Sequence, residues 1–159
     1  MPAMTNLLVK DDSATPKEWT LIPITDTPNP IWRSNDSLLP IEAQPRVSVT
    51  MEKLKTGSYR VSLKTEVPVL ETLGASGTSL GYVAAPKVAF VNTVITTLFA
   101  DKRSTISDRA NAMKIHCGLF AGASSVTATG VLNNASLGDV YKASVLPVIQ
   151  AFISMVLPN

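Results

Sequence analysis

Between residues 46 and 67 the chain alternates two chemistries at every step. Arg46, Ser48, Thr50 and Glu52 interleave with Val47, Val49 and Met51; beyond a turn-like KLKTGSYR segment, Ser58, Arg60, Ser62, Lys64 and Glu66 interleave with Tyr59, Val61, Leu63, Thr65 and Val67. A period of two is that of a half-buried strand, and Gly57 between the two runs suits a hairpin turn. Two such antiparallel strands present one apolar face and one face of hydroxyls and bases. Residues 46–64 hold Arg46, Lys53, Lys55, Arg60 and Lys64 against Glu52 alone, five bases to one acid and a local charge of +4. A face of this kind attracts phosphate by releasing counterions, while Ser and Thr bond bases or phosphates without a charge penalty. By itself the pattern also fits a solvated outer strand face, and it shows no obvious aromatic platform for stacking bases.

Other chemistry is thinly supplied. The chain has one His and one Cys, adjacent as His116 and Cys117, which on a helix stand about 100 degrees apart and do not converge alone on a metal or substrate. A Cys-His nucleophile needs a third, orienting group, and none is indicated. A single cysteine also excludes an intrachain disulfide and a multi-cysteine metal site, so no metal and no cofactor is expected. LGASGTSLG resembles a phosphate loop only in its glycines: the Lys-Ser/Thr ending is missing and a strand-like run follows where a helix is required.

The elements that position the alternating pair read as follows. TNLLVKDD and EWTLIPIT, separated by SATPK, form an N-terminal hairpin, with Pro23 marking its second strand as an edge. Pro23, Pro28, Pro30 and Pro40 break the next stretch into short extended pieces. Residues 87–99 are rich in Val, Ile, Thr and Phe and read as a strand whose two faces the pattern does not separate. Ser104 or Thr105 as N-cap and Asp108 in the first turn begin a helix over 105–120, with Ile106, Ala110, Met113, Cys117 and Phe120 as its apolar stripe. Residues 122–139 suit a loop, and 140–157 a second, apolar helix kinked at Pro147. Strands first and helices last make the class α+β. The chain reads as a single domain over 1–159, with the hairpin at 5–25, the main sheet at 31–100 and a helical region at 104–159.

At 159 residues and 45% hydrophobic composition, the chain has material for one core, which excludes a disordered protein. Charged residues make up 16%, below the roughly 25% of an average soluble domain, whereas Ser and Thr together number 31. So neutral and hydroxyl-rich a surface fits a protein that meets other copies of itself. The apolar run at 143–157 falls short of the roughly 20 residues a bilayer span requires, so no membrane partner is expected. The start MPAMTNLLVKDD reaches acids before a signal-peptide core forms, which predicts a cytoplasmic origin.

Taken in order and spacing, TNLLVKDD, PIWRSND, RVSVTMEKLKTGSYRVSLKTEVPV, the glycine-containing loop, ITTLFADKRS and AMKIHCGLF resemble the coat proteins of single-stranded RNA bacteriophages, of the levivirus type. The resemblance covers most of residues 5–120. It implies an N-terminal β-hairpin, a five-stranded antiparallel sheet and two C-terminal helices packing on the partner subunit in an intertwined dimer. It further implies an icosahedral shell in the virion, built from homodimers in the bacterial cytoplasm, with the sheet facing a single-stranded RNA genome and a single-copy maturation protein as a further partner. Binding of an RNA hairpin that represses replicase translation is also implied.

Carried over residue by residue, the family's RNA pocket falls on Ser48, Thr50, Ser62 and Lys64, with a further basic contact at Arg60. A family arginine position is Glu52 here, and the aromatic and amide positions of the last strand fall on Ala89 and Val91. The resemblance assigns contacts between dimers to the loop of Gly74, Gly77 and Gly81, and the helical core of the dimer to Ile106, Met113, Cys117, Ile149 and Phe152. Competing classes are a small β-rich ligand-binding or adhesin-like module and a hydrolytic enzyme. The first lacks a signal peptide and the second a convergent set of catalytic groups.

Overall fold

The computed structural model describes residues 3–11, 17–71, 87–120 and 147–158. The strands are β1 (Leu7–Lys10), β2 (Glu18–Thr25), β3 (Ile31–Ser34), β4 (Arg46–Lys53), β5 (Tyr59–Leu70) and β6 (Val88–Ala100), followed by helices α1 (Ile106–Phe120) and α2 (Pro147–Ser154). All six strands form one antiparallel sheet in sequence order, each pairing with its chain neighbour. The α+β class stands, but the strand count differs from the expectation. The hairpin is continuous with the sheet, and residues 31–100 add four described strands to it, not five. The positions Gly74, Gly77 and Gly81, the connection 122–139 and helix residues 140–146 lie outside the described residues.

Pro23 does not make β2 an edge strand. β1 pairs with residues 18–21 of β2 and β3 with residues 21–25, so β2 lies between two strands, with Leu21 paired on both sides. Pro23 sits beyond the end of β1, opposite Trp32 and beside a register shift, where a missing backbone donor breaks no ladder on the β1 side. The β4–β5 hairpin turns where expected: Gly57 at φ +82° occupies the left-handed region, its N–H donating to the Leu54 carbonyl at 2.9 Å.

One face of the sheet carries the core. Leu7, Leu21, Trp32, Val49 and Val61 are buried there together with Met113 of α1 and Ala151 and Phe152 of α2. Trp32 is fully buried and donates its indole N–H to the Thr5 carbonyl at 2.8 Å, so burial leaves no orphan donor. Thr105 caps α1. Its hydroxyl oxygen accepts from the Asp108 N–H at 3.3 Å, while the Asp108 carboxylate accepts from the Thr105 N–H at 2.8 Å, a reciprocal capping box. Those bonds to Thr105 hold the Asp108 carboxyl below the ordinary carboxylate range.

Pro147 is the first residue of α2 as described, a position that suits proline's fit to a first helical turn; the kink expected there involves residues 140–146, which lie outside the described residues. Met113 and Phe152 are buried among residues of this chain, Cys117 and Ile149 are half-buried, and Ile106 is exposed.

Candidate nucleic-acid interface

Strand register places the alternating polar residues on the face opposite the core, in rows that cross the strands. Arg33 of β3 stands opposite Arg46 of β4, which stands opposite Glu66 of β5 and then Thr93 of β6. The next rows are Ile31, Ser48, Lys64 and Ile95; then Thr50, Ser62 and Thr97; then Glu52, Arg60 and Phe99. Ser48, Thr50, Arg60, Ser62 and Lys64 therefore share one surface and form one contiguous patch across β4 and β5. Adjacent rows are about two residues of strand apart, so a chain of nucleotides laid along the face meets several of these groups in turn.

The cations are less free than the sequence count suggests. Arg60 pairs with Glu52 at 2.5 Å, and Lys64 pairs with Glu66 at 2.9 Å. Glu66 also accepts from Arg46 Nε at 2.9 Å. Counting bases only as far as Lys64 missed this carboxylate, which register returns to the same face. The hydrogen bond from Lys64 is the largest influence on the Glu66 carboxyl; with the charges of Arg46 and Lys64 it holds the group below its ordinary value, outweighing the opposing effect of burial. Arg33, Arg46, Arg60 and Lys64 against Glu52 and Glu66 leave these rows positive by two charges. The cations of these pairs are 42–49% exposed; such pairs contribute only about 0–1 kcal/mol, so a phosphate can displace the carboxylate at little cost.

Three groups on this face escaped the sequence reading. Thr97 joins the hydroxyl row through a 2.9 Å hydrogen bond between its Oγ1 and Ser62 Oγ. Phe99, 66% exposed and opposite Arg60, adds an aromatic surface to this face that strand patterning did not reveal. Arg33 lies on a four-residue strand too short for its alternation to be read. Val91 shares the face opposite Pro68, whereas Ala89 falls at a register shift between Phe90 and Val88.

The face towards the helices is incompletely covered at the β6 end. Val94 is 59% exposed and Phe90 55%, and both lie on the core side of β6, with the exposed Val67 of β5 beside them. A groove of about 500 Å³ continues this apolar surface between Val148 and Ile149 of α2 and Leu7, Trp19, Val47 and Thr65 of the sheet. The outer edge of β6, 13 residues long, pairs with no described strand. His116 and Cys117 line a separate, largely apolar cavity with Leu63, Met113, Val148 and Phe152. Among the described residues no cluster of three metal-binding side chains occurs, and no helix is long and apolar enough to cross a membrane.

Comparison with known proteins finds one consistent kind of relative. The family model described as Levivirus coat protein matches residues 2–141. The capsid protein of Pseudomonas phage PRR1 is 31% identical over 108 residues, 67% of this chain and 76% of that protein. Among solved structures, the virus-like particle of bacteriophage EMS014 is 43% identical, with a TM-score of 0.72 over 99% of this chain and 100% of that one. The virus-like particle of bacteriophage ESE058, at 21% identity, shares the fold with a TM-score of 0.66, covering 86% of this chain and 99% of that one.

Proposed function

Because this chain belongs to the levivirus coat protein family, a family of structural virion proteins and not enzymes, we propose that it acts as a homodimer whose joint sheet binds single-stranded RNA, and that dimers close into an icosahedral shell around the genome. The observation that carries this reading is β6: a 13-residue edge with Phe90 and Val94 exposed on one face and Val91, Ile95 and Phe99 on the other. Long apolar edges are aggregation hazards unless paired. Antiparallel pairing of β6 with a second copy's β6 satisfies the edge and extends the sheet. The second copy's helical segment then covers Val67, Phe90 and Val94, with Ile106 and Ile149 available to the contact and Cys117 beside it.

In this arrangement the helices face outward, and the rows of Ser48, Thr50, Arg60, Ser62 and Lys64 face the packaged RNA. The loop of Gly74, Gly77 and Gly81 makes the contacts between dimers. Assembly takes place in the bacterial cytoplasm with one maturation protein per particle, and the same RNA face binds a hairpin to repress replicase translation. Glu52, Ala89 and Val91 at family contact positions give that hairpin preferences of its own.

Expression of the full chain, sedimentation of the product and extraction of its nucleic acid test this reading. Particles containing nuclease-protected RNA are expected. A product that stays monomeric at high concentration, or shells that hold no RNA, overturns it.

A further inference from the structure

Beyond the residues already assigned, the open face contains a concave site whose chemistry calls for an anion. Arg33 and Arg46 stand directly opposite each other on β3 and β4. Like charges so placed destabilise a strand pair. They line a cavity of about 210 Å³ together with Ser48, Glu66, Ile24 and Ile31, well beyond the ~10–15 Å³ that one water needs. Arg33 Nε is buried, and among the described residues it has no hydrogen-bond acceptor. Arg33 also enters no ion pair among them, because the nearby carboxylate, Glu66, is shared between Arg46 and Lys64 at 2.9 Å each. Three cations thus surround one carboxylate, and one guanidinium donor is buried without a partner.

We propose that this Arg33–Arg46 pocket is a binding site for a backbone phosphodiester of single-stranded RNA, a proposal that rests on the reading of this face as the RNA surface. A phosphate between the two guanidinium groups removes the like-charge cost and accepts from the buried Nε. Arginine's planar fork matches two phosphate oxygens at once. Ser48 supplies a neutral hydroxyl donor, and the Ile24 and Ile31 side chains form an apolar wall suited to the adjoining sugar. Through Ser48, which stands opposite Lys64, the site joins the hydroxyl and lysine rows without a break. The RNA path therefore runs from β5 across β4 onto β3, beyond the patch named from the sequence.

The test is RNA titration of the full-length protein below the concentration at which particles form. A fluorescein-labelled single-stranded RNA oligonucleotide is the probe, with binding measured at several salt concentrations. Arg33→Gln is expected to weaken binding and to lower the slope of log affinity against log salt by about 0.7, the value for one contact to a single strand. Arg33→Lys keeps the charge and loses the fork, so affinity falls with little change in slope. Lys64→Ala serves as reference. If it lowers the slope and neither Arg33 variant changes binding, the pocket is refuted while the RNA face stands. If none of the three changes binding, the RNA face is refuted together with the pocket. Inorganic phosphate supplies the second arm: if it raises the melting temperature of the parent but not of Arg33→Gln, while RNA binding is equal in both, the site takes free anions and the phosphodiester assignment fails. Should Arg33→Gln not fold, the decision rests on Arg33→Lys, whose unaltered RNA affinity refutes the proposal.

Discussion

The β4–β5 hairpin and strand β6 belong to one sheet and obey the same two-residue period, yet only the hairpin sorts its side chains. Val49 and Val61 are completely buried on one face of the hairpin, and Thr50 and Arg60 are exposed on the other. Along β6, large apolar residues are exposed on both faces: Phe90 and Val94 towards the helices, Ile95 and Phe99 away from them. The hairpin's burial is completed inside the chain, by α1 and α2. Along β6, no described residue covers Phe90, Val94, Ile95 or Phe99 in the same way. A strand patterned for its own core reads clearly in sequence; one patterned for an assembly reads as ambiguous, and the ambiguity is itself the signal.

Substitutions at the two regions sharpen the contrast. Phe152→Ala removes the buried helical side chain that closes the hairpin's face. It is expected to cost about 3–5 kcal/mol in chemical denaturation, because a packed cavity is left behind. Val94→Lys acts on β6, where the residue is 59% exposed in the single chain. The subunit's own stability should change by less than ~0.5 kcal/mol, while self-association measured by sedimentation weakens at least tenfold, about 1.4 kcal/mol. Equal effects of both substitutions on unfolding and on association would erase the distinction between the regions.

Legibility in the sequence followed the same division. The hairpin, its turn at Gly57, the Thr105 cap and the start of α1 were readable because each depends on neighbours within a few residues. The continuity of the N-terminal hairpin with the sheet was not, since Pro23 advertises an edge that holds only past the end of β1. In the candidate site, Ser48, Thr50, Arg60, Ser62 and Lys64 were placed on one face by alternation, and register confirms that placement. The ion pairs were missed because Glu66 lies just beyond the basic stretch in sequence but beside Lys64 and opposite Arg46 in the sheet. Arg33 and Phe99 were missed because β3 is four residues long and the pattern of β6 favours neither face.

Smaller effects are expected where local bonds alone are involved. Thr105→Ala removes the α1 cap and should cost about 1 kcal/mol in thermal or denaturant unfolding, with no change in RNA binding. The partner carboxylate, Asp108, is held below its ordinary value of 3.8 by its bonds to Thr105. Its contribution is therefore fully present above that value and lost as pH falls through the lower folded one. An acid titration of the parent should show this loss, and one of Thr105→Ala should show less of it. Glu52→Gln frees Arg60 from its 2.5 Å pair on an exposed surface. Stability should shift by less than ~0.5 kcal/mol, while RNA affinity rises and its salt dependence steepens, as measured by titration at two ionic strengths. Unchanged RNA binding would mean that Arg60 does not meet phosphate.

The central claim, that β6 is completed by a second copy and that the opposite face of the sheet meets RNA, is tested most directly by a cryo-electron-microscopy map of particles purified from cells. The account predicts β6 paired antiparallel with the β6 of a neighbouring copy, helices on the outside, and nucleic-acid density against the rows containing Arg46, Ser48, Arg60 and Lys64. A map with an unpaired β6 edge, or with RNA density against the helix-covered face, contradicts it.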